Sequence, residues 1–417
     1  MHHSFESAYQ GQGPSSLPQW VGEFRERARA DVSRMGFPTR KTEGWQATNL
    51  KEILSQVYQL PEAPSQLPDL SRWKHEDEET LVFVDGQLLR GGEHPETTFN
   101  YSHLKSDQSD VLRHTISAGR ALYEDTFTRL HDAFLQSGVL IDVPKGKKKH
   151  IHLIHLLTPA GQQAALSRVS VRLQPQAEAR LIETHIPLGV RSESFAGRLT
   201  DIVIEKGAQL EVLNQHSGEA MQNFVQQTRM HVERDASCRV FAATRGGKTV
   251  RHGFYTNLAG PGAEVKMSGM LFSQGEESLD CQTIMKHSSP HARSEQLFHG
   301  LARGCGRLNF RGLIQVAVGA HGTDAGLLNK NLLLDSQADV SCRPELQILN
   351  DDVKCHHGAT VSELRREEVE YLKSRGIREP VAKKMLVEAF LSSVQDNDFS
   401  WVRGRLSDRW DGGSENV

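Results

Sequence analysis

From Gly138 onward, apolar and polar residues alternate in short runs separated by Gly, Pro and Asp steps, and this texture persists for over two hundred residues. Alternation with a period of two puts successive side chains on opposite faces of a strand. The runs share a recurring element, a small residue followed by apolar alternation: QPQAEARLI, EKGAQLEVL, ERDASCRVF, GPGAEVKMS, SPHARSEQL and DSQADVSCR. Their alanines are Ala177, Ala208, Ala236, Ala263, Ala292 and Ala338, spaced by 31, 28, 27, 29 and 46 residues. Strand units recurring near 28 residues predict the coils of a solenoid, each burying its apolar side only against its neighbours. The expected fold class is mainly β: a right-handed parallel β-helix over 139–359, flanked by a mainly helical N-terminal region, 1–138, and a helical C-terminal region, 360–417. An antiparallel sandwich is the alternative.

In the β-helix, Ala208, Leu210 and Val212 face inward, as do Ala236, Cys238 and Val240, and Ala263, Val265 and Met267. Cys238 and Cys342 lie on the same parity, which predicts buried structural thiols, since Cys is among the most buried residue types. Leu308 and Phe310 break the pattern by falling on the opposite parity.

Ahead of the strands, Trp20, Phe24, Ala28, Val32 and Met35 recur at helical spacing, and Gly36 and Pro38 stop that helix. A short helix is expected around Glu43–Trp45 and the leucines nearby, and a proline-rich loop from Pro61 to Pro68. A brief strand over Leu81–Val84 turns at Asp85-Gly86. Two helical pieces follow within Tyr101–Gln136, the second built on Ala121, Leu122, Phe127, Leu130 and Phe134. Beyond Thr360, two more helices are predicted, the first capped by Ser362 and stopped at Gly376. The second has Pro380 in its first turn and an apolar stripe of Val381, Met385, Ala389 and the offset pair Leu386 and Phe390.

Composition narrows the function little. With 49 basic and 52 acidic residues among 417, the formal charge of -3 gives no field that would select nucleic acid or an anionic membrane. The five cysteines, Cys238, Cys281, Cys305, Cys342 and Cys355, are odd in number and contain no CxxC pair, so neither a disulfide framework nor a self-contained zinc site is expected. A reducing, cytoplasmic compartment fits them best. No apolar run approaches a membrane span, and MHHSFESAYQ does not read as a signal peptide.

Chemistry concentrates in the segment from Asn329 to Thr360, NKNLLLDSQADVSCRPELQILNDDVKCHHGAT. Val353, Cys355 and His357 share one side of an extended segment, and Lys354 and His356 share the other. A thiol and an imidazole facing together are two candidate metal ligands. Two are an incomplete set, because structural zinc and iron–sulfur sites generally take four. The commoner reading of such a pair is a core cysteine beside a hydrogen-bonded histidine.

These residues resemble a known family. LLLDSQADVSCRPELQILNDDVKCHHGATV followed by YLKSRGI is similar to the C-terminal signature of the SufD branch of the SufB/SufD family of SUF iron–sulfur cluster assembly proteins. The likeness extends to GFPTRKTEGWQATNL (Gly36–Leu50), LVFVDGQL (Leu81–Leu88), FTRLHDAF (Phe127–Phe134) and GLIQV (Gly312–Val316). It implies a non-catalytic scaffold subunit that pairs with SufB and works with the ATPase SufC. The family's histidine, matched by His357, faces a SufB cysteine where a nascent, transient iron–sulfur cluster forms. Cys355 is carried as a second ligand. The resemblance also implies that the C-terminal helices, through Val381, Met385, Leu386, Ala389 and Phe390, dock SufC, although the stripe could instead cover the solenoid's end. An isolated chain could pair with itself, and flavin binding is left open. His356 stands where the family usually has a small polar residue.

Two other functions compete. Some β-helices are carbohydrate hydrolases or lyases, but an aromatic content of 6% with no Trp between residues 74 and 400 argues against a sugar-stacking cleft. A purely structural β-helix subunit is the other. Arg245-Gly-Gly-Lys-Thr249 lacks the first glycine of a phosphate-binding loop, Ala242 standing in its place. His150 and His152 in KGKKKHIHLIH read as a solvated strand, and Asp335, Asp339, Asp351 and Asp352 as ends of strands and turns.

Overall fold

A computed structural model describes residues 2–10, 19–61, 70, 73, 77–91, 97–135, 137–158, 161–188, 194–218, 223–394 and 402. The loop expected between Pro61 and Pro68, and the end of the helical stretch at Gln136, lie largely outside them. The N-terminal part forms α1 (His3–Gln10), α2 (Gln19–Met35), α3 (Lys51–Ser55), β1 (Glu79–Val84), β2 (Gln87–Arg90), β3 (Thr98–Asn100), α4 (Ser106–Leu122) and α5 (Thr126–Ala133). The short helix expected around Glu43–Trp45 and the nearby leucines is α3, which begins at Lys51, while Glu43–Trp45 itself lies in turns. Asp85 and Gly86 both take positive φ, 48° and 85°, which closes the β1–β2 hairpin. Gly86 also permits close approach, since a Cβ there would lie 2.6 Å from the Leu166 backbone nitrogen.

The alternating runs become sixteen strands: β4 (Val139–Val143), β5 (Lys148–Leu157), β6 (Ala164–Leu173), β7 (Glu178–Pro187), β8 (Phe195–Ile204), β9 (Gln209–Ser217), β10 (Asn223–Val232), β11 (Ser237–Arg245), β12 (Thr249–Leu258), β13 (Glu264–Gln274), β14 (Ser278–His287), β15 (Arg293–Arg303), β16 (Arg307–Val316), β17 (Thr323–Leu333), β18 (Asp339–Ile348) and β19 (Val353–Glu363). From β4 to β19, odd-numbered strands stack in one sheet, ordered β19-β17-β15-β13-β11-β9-β7-β5 and extended by β1-β2, and even-numbered strands in the other, β18-β16-β14-β12-β10-β8-β6-β4, extended by β3. Every pairing between coils is parallel. Such pairing belongs to a solenoid and excludes the antiparallel sandwich.

The recurring alanines mark where each coil turns into the odd sheet. Ala177, Ala208, Ala236, Ala263 and Ala292 each stand one residue before an odd strand and are fully buried. Four of them close that turn by donating to the carbonyl three residues back: Gln174, Glu205, Glu233 and Gly260. Ala338 does not belong to the series. It precedes β18, in the even sheet, so its 46-residue step spans a coil and a half. The odd-sheet counterpart is Thr323, adjacent to Asp324, which pairs with Arg293. The same two-sheet arrangement explains Leu308 and Phe310, which are inward-facing even-sheet residues with their own parity.

Between the sheets, Leu210 is sandwiched in register by Ala179 and Cys238, and Val212 by Leu181 and Val240. All nine residues expected to face inward lie in this core. Toward the other side of the interior the core turns polar. Glu183 accepts hydrogen bonds from Thr200, Asn214 and Gln226 at 2.9, 2.8 and 3.3 Å, while His185 and His216 stack at 4.9 Å. Burial, together with the nearby Arg198, lowers the His216 pKa to about 3, so this imidazole is neutral.

α4 and α5 cover the outer face of the even sheet over a buried ionic network. Asp201 accepts from Arg168 at 2.5 Å and from Arg229 at 2.6 Å, and Arg168 also pairs with Asp132 of α5. His152, expected on a solvated strand, is buried: its Nδ1 donates to the Trp73 carbonyl at 3.0 Å and its Nε2 accepts from Thr184 at 2.8 Å. The N-terminal segment wraps the sheet there and removes the solvent that the alternation alone suggested.

After β19 come α6 (Arg366–Ser374) and α7 (Glu379–Ser392). Ser362 is not a cap, because β19 runs through it and α6 starts after Arg365. Gly376, at φ 85°, ends α6, and Pro380 sits in the first turn of α7, both as expected.

Candidate functional site

Among the described residues, the solenoid ends without a cap on its last coil. β19 is hydrogen-bonded only to β17 and β18 only to β16, so both strands are sheet edges. The inward parity of β19 comprises Val353, Cys355, His357, Ala359 and Val361, in register above Thr323, Ala325, Leu327, Asn329 and Asn331. In β18 the inward residues are Val340, Cys342, Pro344, Leu346 and Ile348, above Leu308, Phe310, Gly312, Ile314 and Val316. The layer beneath is core, with Ala325, Leu327, Leu308 and Phe310 all buried. Had another coil followed, this layer would be core as well. Instead Val361 is 45% exposed and Ile348 38%. A row of unpaired strand groups beside exposed apolar side chains is a surface that proteins usually cover.

Cys355 is half-buried, and His357, directly above Leu327, is exposed. His356 lies on the outer face, its ring over Gly326, where an added Cβ would come within 2.7 Å of the imidazole. The two adjacent histidines therefore address different surroundings. The same end holds a third candidate ligand that the sequence reading set aside: Cys342 is only half-buried, and it accepts a hydrogen bond from Asn331 Nδ2 at 3.0 Å. Asn331 also donates to the Thr360 carbonyl at 3.2 Å, linking the two edge strands from below. The apolar parity of Cys342 marks it as interior, and only its place on the last coil exposes it.

Burial pushes the Cys342 thiol up to about 11. Burial and the neighbouring Asp324 carboxylate also raise Cys355. Both are thiols at neutral pH in the free chain. A metal ion would have to displace their protons. Among the described residues, no group of three or more His, Cys, Asp or Glu side chains is placed to hold a metal ion.

The C-terminal stripe divides between two surroundings. At 100° per residue, Val381, Met385 and Ala389 fall within one 80° arc of α7, and all three are exposed. Leu386 is half-buried, and the Phe390 ring stacks on His299 at 4.6 Å. The buried face of α7, Ala382 and Val387 with Leu391 alongside, packs toward Phe272, Leu301 and Leu332 of β13, β15 and β17. α7 therefore lies on the outer face of the odd sheet and does not plug the open end. Of the discounted signals, Gly246 and Gly247 form the β11–β12 turn with φ 80° and 101°, and Lys248 pairs with Glu52 at 2.6 Å. Asp335, Asp351 and Asp352 lie in turns and Asp339 begins a strand, as read.

A family model described as "SUF system FeS cluster assembly, SufBD core domain" matches residues 155–390, more than half of the chain. The chain belongs to the SufBD family. Its relatives include the iron-sulfur cluster assembly protein SufD of Escherichia coli, 29% identical over 95% of this chain and 91% of that protein. The SufBD family protein slr0076 of Synechocystis is 23% identical over 92% of this chain and 88% of its own length. SufB of Bacillus subtilis is 23% identical over 90% and 81%. The SufBD match covers all the coils from β6 to β19, so the open end and most of α7 lie within it. Membership places the chain in iron–sulfur cluster assembly. None of the described helices is long and apolar enough to cross a membrane.

Proposed function

We propose that this chain is a non-catalytic, SufD-like scaffold subunit whose open solenoid end pairs with a SufB-like chain. A nascent iron–sulfur cluster then forms as cargo at their junction. The observation that carries the reading is the position of Cys355 and His357: both take the inward parity of an edge strand, where coverage by a second chain would enclose them. His357 contributes an imidazole nitrogen and Cys355 a thiolate once its proton is displaced, and the partner completes the set. Likeness to SufD and to SufB at similar coverage supports a pairing of paralogous solenoids, because two chains of one fold present matching edges.

The C-terminal helices dock a SufC-like ATPase in this reading. Val381, Met385 and Ala389 form the exposed contact, Leu386 borders it, and Phe390 holds α7 in place against His299. A tagged form of this chain, co-expressed with SufB-like and SufC-like chains and purified under anaerobic conditions, is expected to retain both. Recovery of the folded chain with neither partner would overturn the proposal.

A further inference from the structure

The outer faces of the two sheets carry charges arranged by sign from coil to coil. On the odd sheet, Glu264, Arg293, Asp324 and Lys354 are direct register neighbours on β13, β15, β17 and β19, and all four are exposed. Their signs alternate without exception. The adjacent column runs Arg180, Glu211, Arg239, Lys266 and Glu295: Glu211 lies between Arg180, at 2.7 Å, and Arg239, at 3.5 Å, Lys266 pairs with Glu295 at 3.5 Å, and Arg239 beside Lys266 is its one like-charge step. Opposite charges on neighbouring strands stabilise pairing and like charges oppose it. The alternation therefore reports how each strand recognises the next.

On the even sheet the last steps are Arg307 beside Asp339, and Arg311 beside Arg343. Arg311 is already satisfied, by Glu345 at 3.0 and 3.1 Å and by Glu43 at 2.7 Å. Arg343 is exposed, stands next to a like charge, and has no ion-pair partner among the described residues. Lys354, Asp339 and Arg343 each end a column on a strand with one free side.

We infer that the chain covering the open end continues these columns, with a carboxylate beside Lys354, a cation beside Asp339 and a carboxylate beside Arg343. This rests on the open end being the interface proposed above, and it names the chemistry by which the partner is selected. The occupant is a different chain from this one. The outward face of β19 consists of Lys354, His356, Gly358, Thr360 and Ser362 and carries no carboxylate, so a second copy set β19 against β19 leaves Lys354 unmet, and one set β19 against β18 leaves Arg343 unmet.

The test uses the purified full chain and its purified SufB-like partner, with affinity measured by biolayer interferometry at low and high salt. Lys354→Glu and Arg343→Glu change exposed side chains only. Each is expected to weaken association roughly ten-fold at low salt, with the gap narrowing as salt screens it. A single acidic-to-lysine change on the partner's edge strand is expected to restore each variant. Ile348→Asp, on the inward side of the same edge, is expected to abolish pairing. If Ile348→Asp binds like wild type, the open end is not the interface and both readings fall. If Ile348→Asp fails to bind while both charge reversals bind as tightly as wild type at low salt, the charge inference alone is overturned. Wild-type self-association tighter than binding to the partner would overturn the choice of a different chain.

Discussion

Asp201→Asn probes how the N-terminal helices are held on the solenoid. The substitution conserves volume, so packing is unchanged, but it removes the charge shared by two buried guanidiniums and turns one acceptor into a donor. Arg168 keeps Asp132, whereas Arg229 retains only the Tyr123 carbonyl, 2.9 Å away. The loss therefore concentrates on Arg229, which is fully buried. Breaking one partner of a buried pair costs about 3 to 5 kcal/mol, and one surviving amide acceptor puts the expectation near the lower figure. At about 1.4 kcal/mol per factor of ten, local opening should rise roughly a hundred-fold. α4 is the reporter, because a Cβ on Gly119 would collide with the Asp201 carboxylate, so the helix rests directly on it. Hydrogen exchange should accelerate by that factor across α4 and α5 and stay unchanged in β13 to β17. Unchanged protection in α4, or uniform acceleration through all coils, would refute the reasoning.

Other consequences are equally direct. Leu210→Asp puts a carboxylate between Ala179 and Cys238 in the sealed core, at a cost of several kcal/mol; retention of the wild-type melting temperature would contradict the inward assignment. His299, with its pKa lowered to about 4 by burial beneath Phe390, binds fewer protons folded than unfolded. The stability it confers is complete above its ordinary value of 6.5 and is lost as pH falls from there through about 4. Exchange in α7 should therefore rise over that window, and His299→Gln should flatten the dependence. Met385→Glu, on the exposed arc of α7, should abolish capture of the SufC-like ATPase while leaving the circular dichroism unchanged; undiminished pull-down would remove α7 from that role.

Much of the fold was legible because its signal is local and repeated. Strand parity alone placed Leu210, Val212, Cys238 and Met267 inside, and a turn alanine announced five of the coils. What a period of about 28 does not reveal is that each coil contributes to two sheets. By spacing alone Ala338 therefore aligns with the wrong strand, and Leu308 falls outside the pattern. Burial by distant segments was also invisible: His152 lies on a strand that reads as solvated, and only the Trp73 segment, far away in sequence, covers it. At the candidate site, the shared face of Cys355 and His357 followed from spacing. The exposure of Cys342 did not, since it depends on β18 being the last strand of its sheet. The ionic network of Asp132, Arg168, Asp201 and Arg229 joins residues nearly a hundred positions apart and leaves no pattern in the chain.

The central claim is that His357 supplies a ligand to a cluster assembled at the open end. The most direct test is anaerobic assembly of the complex with the SufB-like and SufC-like chains, carrying wild-type chain or His357→Ala, followed by maturation of an apo iron–sulfur client read by its visible absorption. His357→Ala should keep the three chains together yet lose most of the maturation. Cys355→Ser should be milder, and His356→Ala, on the opposite face, nearly silent. Normal client maturation by an intact His357→Ala complex would contradict the account.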